Sequence, residues 1–260
     1  MGNLSYKLKP QADSVALDVA APVVNSLTDL TSKARAGGEH WYPELASVSV
    51  GNVWGDHFDR DSITPTGYPT IWTTGGVGTE TVAISTATSF IAHGLQLTTG
   101  AVIADDAFAT AIGVKALRGL ESISTIKMTI VVSLDSAADV ECFLGIIDGA
   151  VTNTLVIPTT ERHAGFILDR SVSANWRRST GDGGTQSITS TSVAATTASQ
   201  TLAITWTSGN VNFDVGTTDV GDNTANLPTE DRGYHPYLMA QTEAAAAKTA
   251  RIDKIKLEYT

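Results

Sequence analysis

Carboxylates and a histidine crowd one short stretch of this 260-residue chain. "NVWGDHFDRD", Asn52 to Asp61, sets Asp56, Asp59, Asp61 and His57 around Trp54 and Phe58. Such a set could bind a cation or move protons. As an EF-hand loop beginning at Asp59 it fails: the sixth position is Thr64, where the tight turn needs glycine, and the twelfth is Thr70, where a bidentate glutamate belongs. As a zinc site it also fails, because His57 has no second histidine or cysteine at ligand spacing. Strand alternation gives a simpler account. Trp54, Asp56 and Phe58 then share one face, leaving Gly55, His57 and Asp59 on the other. The stretch reads as an early strand with its aromatics packed inward; a structural cation at Asp59, Asp61 or Asp105–Asp106 is the alternative.

The remaining catalytic patterns are missing or broken. Sandwich glycanases carry E-x-D-x-E on one strand, so that acid and nucleophile face the same cleft. No such triplet occurs, and Glu39 and Glu44 in "EHWYPE" have the wrong spacing. There is no G-x-S-x-G elbow, and His40, His57, His93, His163 and His235 are scattered singly. "GGVGT", Gly75 to Thr79, lacks the lysine and following helix of a phosphate loop and reads as a glycine-rich turn between strands. Cys142 alternates with Val140 and Leu144 in "DVECFLGI", which predicts a buried thiol rather than a nucleophile. In "NWRRST", Trp176 beside Arg177 and Arg178 is a candidate glycan-stacking or partner-contact patch, with a solvated strand edge as the plainer reading. No catalytic residue, cofactor or metal is expected.

Composition narrows the partners. Seventeen Lys and Arg against 27 Asp and Glu leave a net charge of −10 and a pI near 4.8. That surface repels phosphate backbones, so free nucleic acid is not an expected partner. The opening "MGNLSYKLKP" has no apolar core, and no apolar run approaches the roughly 18 residues of a membrane span, so neither a secretory signal nor a membrane partner is expected. The single cysteine forbids an intrachain disulfide and suits a reducing cytosol. The Asn3-Leu4-Ser5 sequon then carries no meaning.

The elements that must position these groups are strands. "STIKMTIVVSL" places Ile126, Met128, Ile130, Val132 and Leu134 on one face, the period of a half-buried strand. "DVECFLGIID" is nearly all apolar and predicts a more central strand. "AGFILD", "ANWRRS" and "QTLAITW" follow, and "KIKLEYT" sets Ile255, Leu257 and Tyr259 opposite Lys254, Lys256 and Glu258. "AITWTSGNVNFDVGT" signals a hairpin turning at Ser208-Gly209-Asn210, and "GDGGT" at 181–185 a second hairpin tip. "EAAAAK", Glu243 to Lys248, has helix propensity but is too short to stand alone, and predicts a tight connection or a single helical turn. Many short strands separated by turn residues predict an all-β antiparallel jelly-roll sandwich over residues 51–260.

Residues 1–50 lack sustained alternation and predict an extended N-terminal arm. It holds at most a short helix over Leu27 to Ala36, capped by Ser26 and ended by Gly37-Gly38. An arm with so little core of its own must dock to be ordered, either on its own sandwich or on a neighbouring chain.

The order of "VWGDHFD", "GLQLTTG", "LAITWTSGNVNF" and "ARIDKIKLEY" resembles the concanavalin A-like (lectin/glucanase-type) jelly-roll structural proteins of tailed bacteriophages, of the capsid decoration or cement type. The resemblance spans Val53 to Thr260 and transfers no catalytic residue. It implies a non-enzymatic virion protein on the capsid exterior, assembled in the host cytoplasm. The implied partners are the major capsid protein and neighbouring copies of itself, as a homodimer or homotrimer. The arm supplies the expected partner-binding positions: Leu4, Tyr6, Leu8, Val15, Leu17, Val23, Val24, Leu27, Leu30, Trp41 and Tyr42. The alternative is a carbohydrate-binding module on a head or tail fibre, with Trp176 or Trp72 exposed to stack on sugars.

Overall fold

A computed structural model describes residues 52–56, 72–84, 94–111, 117–118, 124–149, 161–230 and 233–259. The predicted arm, with its helix over Leu27–Ala36, lies outside these residues, as do His57, Phe58, Asp59 and Asp61 of the opening stretch.

Among the described residues there is no helix. Two antiparallel sheets form a sandwich. Sheet A runs, in spatial order, β14 (Thr218–Asn223), β13 (Asn210–Val215), β12 (Gln200–Thr207), β7 (Thr125–Leu134), β16 (Thr249–Tyr259), β4 (Leu95–Thr98) and β3 (Thr81–Ile84). The early strand expected at "NVWGD" is present as β1 (Asn52–Asp56). It pairs with the last part of β16, while β4 pairs with the first part. Sheet B runs β11 (Gln186–Ala194), β10 (Asn175–Asp182), β9 (Arg162–Asp169), β8 (Val140–Ile147), β15 (Gly233–Thr242), β5 (Asp106–Thr110) and β2 (Thr73–Val77), with β6 (Leu117–Arg118) pairing the start of β15.

The sequence pattern explains the placement. β7 buries Ile126, Met128, Ile130, Val132 and Leu134 and turns Lys127 to water, as its period of two predicts. β16 keeps Ile252 and Ile255 both inward because a bulge between Ile252 and Lys254 resets the alternation. β12 and β13 form the predicted hairpin. Thr207 pairs with Asn210, so the turn is the two residues Ser208-Gly209, with Gly209 at φ 77°. β10 and β11 close over Gly183 (φ 89°), where the Asp182 carboxylate accepts the Gly184 and Thr185 amides. "EAAAAK" is the tight connection between β15 and β16 and forms no helical turn. Of "GGVGT", Gly75 and Gly76 lie within β2, and only the residues from Gly78 turn the chain toward β3.

The core lies between the sheets and is fixed by edge-on aromatic contacts. Trp206 and Tyr234 have ring centroids 5.0 Å apart, Phe166 and Phe213 5.3 Å, and Phe166 and Trp176 6.3 Å. Cys142 is buried in it, and burial pushes its thiol well above the ordinary range, as expected of an inert thiol.

Candidate functional site

The outer face of sheet B carries the chemistry. Register aligns its side chains in rows across the strands. Asp106, Gln241, Glu141 and Asp169 form one row, and Phe108, Met239, Phe143, Ile167 and Arg177 the next. Thr110, Tyr237, Gly145, Gly165 and Ser179 follow, then His235, Ile147, His163 and Gly181. The middle of this face is closed. Phe108, Phe143, Ile147, Ile167, Tyr237 and Met239 form a second hydrophobic cluster in which no member exceeds 5% exposure.

Three carboxylates gather at one end of the face. Glu141 is the second residue of β8, Asp169 is its cross-strand partner at the end of β9, and Glu243 directly follows β15. Their oxygens lie within 4.8 Å of one another. Burial, then a hydrogen bond with Glu243, pushes the Glu141 carboxyl up to about 8. Asp169 is committed elsewhere. Its Oδ1 accepts from Ser171 Oγ at 2.6 Å and the Val172 amide at 3.2 Å, and its Oδ2 faces Arg177 Nη1 at 3.5 Å.

A raised carboxylic acid beside ionised partners invites comparison with glycoside hydrolysis, in which acid and nucleophile flank the scissile bond at about 5–5.5 Å in the retaining case. Here Glu141 bonds directly to Glu243, and Asp169 already accepts from Ser171 and Val172 and faces Arg177. As a cation site the cluster offers three carboxylates, whereas a calcium ion takes about 6–8 oxygens, and Asp169 already faces the Arg177 guanidinium. The arrangement clamps β8, β9 and the β15–β16 connection together.

A second constellation has the bond pattern of a nucleophile and its base. His163 Nδ1 lies 2.8 Å from the Glu161 carbonyl, and Nε2 lies 2.8 Å from Ser179 Oγ. Burial lowers the imidazole to about 4, so the ring is neutral. A carbonyl only accepts, so Nδ1 carries the hydrogen and Ser179 donates to Nε2. Both residues are at 0% exposure, however, so no substrate reaches them, and the pair serves to satisfy buried polar groups. Asp105 and Asp106, the alternative cation pair, each accept a backbone amide. Asp105 Oδ2 accepts the Val102 amide at 3.0 Å and Asp106 Oδ1 the Val77 amide at 3.2 Å. Burial raises Asp106 to about 7.

The sequence-derived candidates fare differently. Leu4, Tyr6, Leu8, Val15, Leu17, Val23, Val24, Leu27, Leu30, Trp41 and Tyr42 lie outside the described residues. Trp176 is corrected: it is fully buried, and its Nε1 donates to Gln200 Oε1 at 3.0 Å, so its ring is not free to stack on a sugar. Trp72 is likewise buried. The physical reason is strand parity, because on β10 the indole points into the core while Arg177 points out. Arg177 pairs with Asp169, and Arg178 Nη1 donates to the Val220 carbonyl at 2.9 Å. The carboxylate cluster and the Ser179–His163 pair escaped the sequence reading because each joins separate strands without a local motif.

No family model and no curated protein matches the chain. Solved structures do. A protein of unknown function from Shewanella oneidensis MR-1 superposes with a TM-score of 0.58 at 13% identity, covering 92% of this chain and 96% of that one. LamAcat from Zobellia galactanivorans gives 0.55 at 10% identity, covering 84% of this chain and 100% of that one. The Emp46p carbohydrate recognition domain in its potassium-bound form gives 0.52 at 9% identity, covering 72% and 88%. At such identities the likeness is one of fold. The chain has an antiparallel β-sandwich fold consistent with a jelly roll, and the solved structures similar to it include concanavalin A-like carbohydrate recognition domains and a GH16 protein.

Proposed function

We propose that this chain is a non-enzymatic structural protein of a virion, a phage capsid decoration or cement protein. It binds the major capsid protein and neighbouring copies of itself through residues 1–50 and sits on the shell exterior as a homodimer or homotrimer. One observation carries the non-enzymatic part: the outer face of sheet B is filled by Phe108, Phe143, Ile147, Ile167, Tyr237 and Met239 instead of opening as a groove. The acidic surface, the single buried thiol and the resemblance of "VWGDHFD", "LAITWTSGNVNF" and "ARIDKIKLEY" to phage jelly rolls support the rest. The test is sedimentation with empty capsids. The full chain is expected to co-sediment and a chain lacking residues 1–45 to stay in solution; equal binding by both overturns the role of the arm. Release of reducing ends from host polysaccharide by the purified protein overturns the non-enzymatic reading.

A second reading is carbohydrate recognition during host adsorption. The fold shared with carbohydrate recognition domains supports it, as do Glu141 and Glu243, half-buried carboxylates that can accept sugar hydroxyls. Binding to a glycan array that is lost in Glu141→Gln supports this reading; an array at background removes it.

A further inference from the structure

The edge strands of the two sheets differ in how they are guarded. A free edge presents unpaired N–H and C=O groups, and native proteins blunt it with charge, proline, a bulge or short length. β14, an edge of sheet A, carries Asp219 and Asp222 and meets β13 across a bulge. β3, near the other edge of that sheet, has four residues, and β2, an edge of sheet B, has five, two of them glycine. β11, the opposite edge of sheet B, runs for nine residues, "QSITSTSVA", without a charge, a proline or a glycine. Among the described residues no strand pairs with its outer side. Thr189 and Ser190, neighbours whose side chains leave opposite faces of the strand, are both exposed.

The neutrality reaches well beyond the strand. From Gly183 to Phe213 there is no Asp, Glu, Lys or Arg, although 17% of the chain is charged and its net charge is −10. The guanidiniums of the adjoining β10 are engaged within the molecule: Arg177 faces Asp169, and Arg178 Nη1 donates to the Val220 carbonyl. On β14, Asp219 and Asp222 both accept from Asn212 Nδ2 of β13. A foreign partner of an acidic protein gains from opposite charge on the contact edge. Two copies related by a twofold instead bring the same residues together, so any charge on the edge would meet its own kind. Charges further off are damped by salt over about 8–10 Å. An uncharged edge on so acidic a chain therefore fits a second copy.

Register locates the contact. β11 keeps step with β10 from Gln186 to Ser190, and the ladder is irregular from there to Ala194. The regular stretch is thus Gln186-Ser187-Ile188-Thr189-Ser190, centred on Ile188. That side chain is half-buried against the outer cluster of Phe143, Ile167 and their neighbours. Antiparallel pairing with a second copy about this centre sets Ile188 against Ile188, Ser187 against Thr189 and Gln186 against Ser190. The outer apolar layer then continues from one copy to the next, and each polar residue meets another that can hydrogen-bond with it. We propose that β11 is a self-association edge, through which two copies pair antiparallel over Gln186–Ser190 and join their B sheets across a twofold. The inference goes beyond the coat reading, which places the contacts in residues 1–50, and it holds whether or not the chain coats a shell.

The test uses the full chain. So small a contact makes a concentration-dependent dimer, and sedimentation equilibrium should show the mass rising with concentration toward twice 27.2 kDa. Thr189→Lys, at an exposed side chain, should return it to a monomer without lowering the melting temperature. Cysteine pairing reads the register. Opposed residues of an antiparallel pair lie about 4.5–5.5 Å apart between Cα atoms, within the reach of a disulfide, and the native Cys142 is buried. Ile188→Cys should therefore oxidise to a covalent dimer. Gln186→Cys and Ser190→Cys should each stay monomeric alone and cross-link when mixed. A monomer at every concentration overturns the proposal, as does self-association indifferent to Thr189→Lys, or a dimer in which Ile188→Cys fails to cross-link. Edge dimerisation with no capsid binding supports the proposal and overturns the coat reading. Capsid binding by a chain that never pairs through β11 does the reverse.

Discussion

On the outer face of sheet A, β7 presents Thr125, Lys127, Thr129 and Ser133, and β16 adds Arg251, Lys254, Lys256 and Glu258, none of them buried. On the outer face of sheet B, the matching positions of β8, β9 and β15 are Phe143 and Ile147, His163 and Ile167, and Tyr237 and Met239, all buried. Both sheets are antiparallel and bury the same inner core, so topology does not separate them. An antiparallel sheet commonly keeps one face wet, and sheet A does so. Sheet B is buried on both sides in its middle, where Phe108, Phe143, Ile147, Ile167, Tyr237 and Met239 leave no open concave surface of the kind that takes a ligand. Among the described residues sheet A is thus a solvated wall and the middle of sheet B a closed slab.

The largest effect expected from this contrast is on stability. Trp206→Ala, in the layer between the sheets, should cost about 3–5 kcal/mol, and Phe143→Ala, outside that layer, should cost as much. Lys127→Ala on the wet face should stay within about 0.5 kcal/mol. Urea unfolding of the three variants checks this, and a Phe143→Ala cost close to that of Lys127→Ala would break the contrast.

Next in size is the acid response of the closed face. His163 holds its proton with a pKa near 4, against an ordinary value of 6.5. The folded state therefore refuses a proton that the unfolded state accepts. The stability it contributes is complete above pH 6.5 and is lost as pH falls toward 4, by roughly 3 kcal/mol at full loss. Melting temperature against pH should show this decline in the parent, and His163→Gln should flatten it.

The carboxylate clamp responds in the opposite direction. The Glu141 carboxyl is raised from 4.5 to about 8. Its contribution is therefore complete below pH 4.5 and lost as pH climbs through 8. Glu141→Gln should raise the melting temperature at pH 8 and have little effect at pH 4.5; a uniform fall at both values would contradict the raised Glu141 carboxyl. The smallest effect is on sheet A. Lys256 and Glu258 pair at 2.6 Å with both side chains about a third exposed, and Lys256→Ala should cost less than about 1 kcal/mol.

The same contrast explains what could be read from the chain in advance. β7 was legible because its alternation records one wet and one dry face, and the β12–β13 hairpin because Gly209 marks its turn. "VECFLGII" in β8 was legible as a central strand, but not as one with two dry faces. A run that is apolar throughout does not say whether its second face meets water, another layer or a ligand. The adjacent arginines suggest a surface patch at Trp176, while the hydrogen bond from its indole to Gln200 Oε1 joins residues far apart in sequence. Glu141, Asp169 and Glu243 come from three distant segments and meet only through register. Val102 and Ile103 look in sequence like part of a core strand; the turn that Asp105 imposes puts them in solvent.

The most direct test of the closed slab is solvent paramagnetic relaxation of side-chain methyls with a soluble gadolinium probe. The account predicts that Met239, Ile147 and Ile167, on the outer face of sheet B, are as protected as Ile130 and Leu144 in the inter-sheet core. Strong relaxation at Met239, Ile147 and Ile167, with Ile130 and Leu144 silent, would mean that the face is an open groove and would contradict the account.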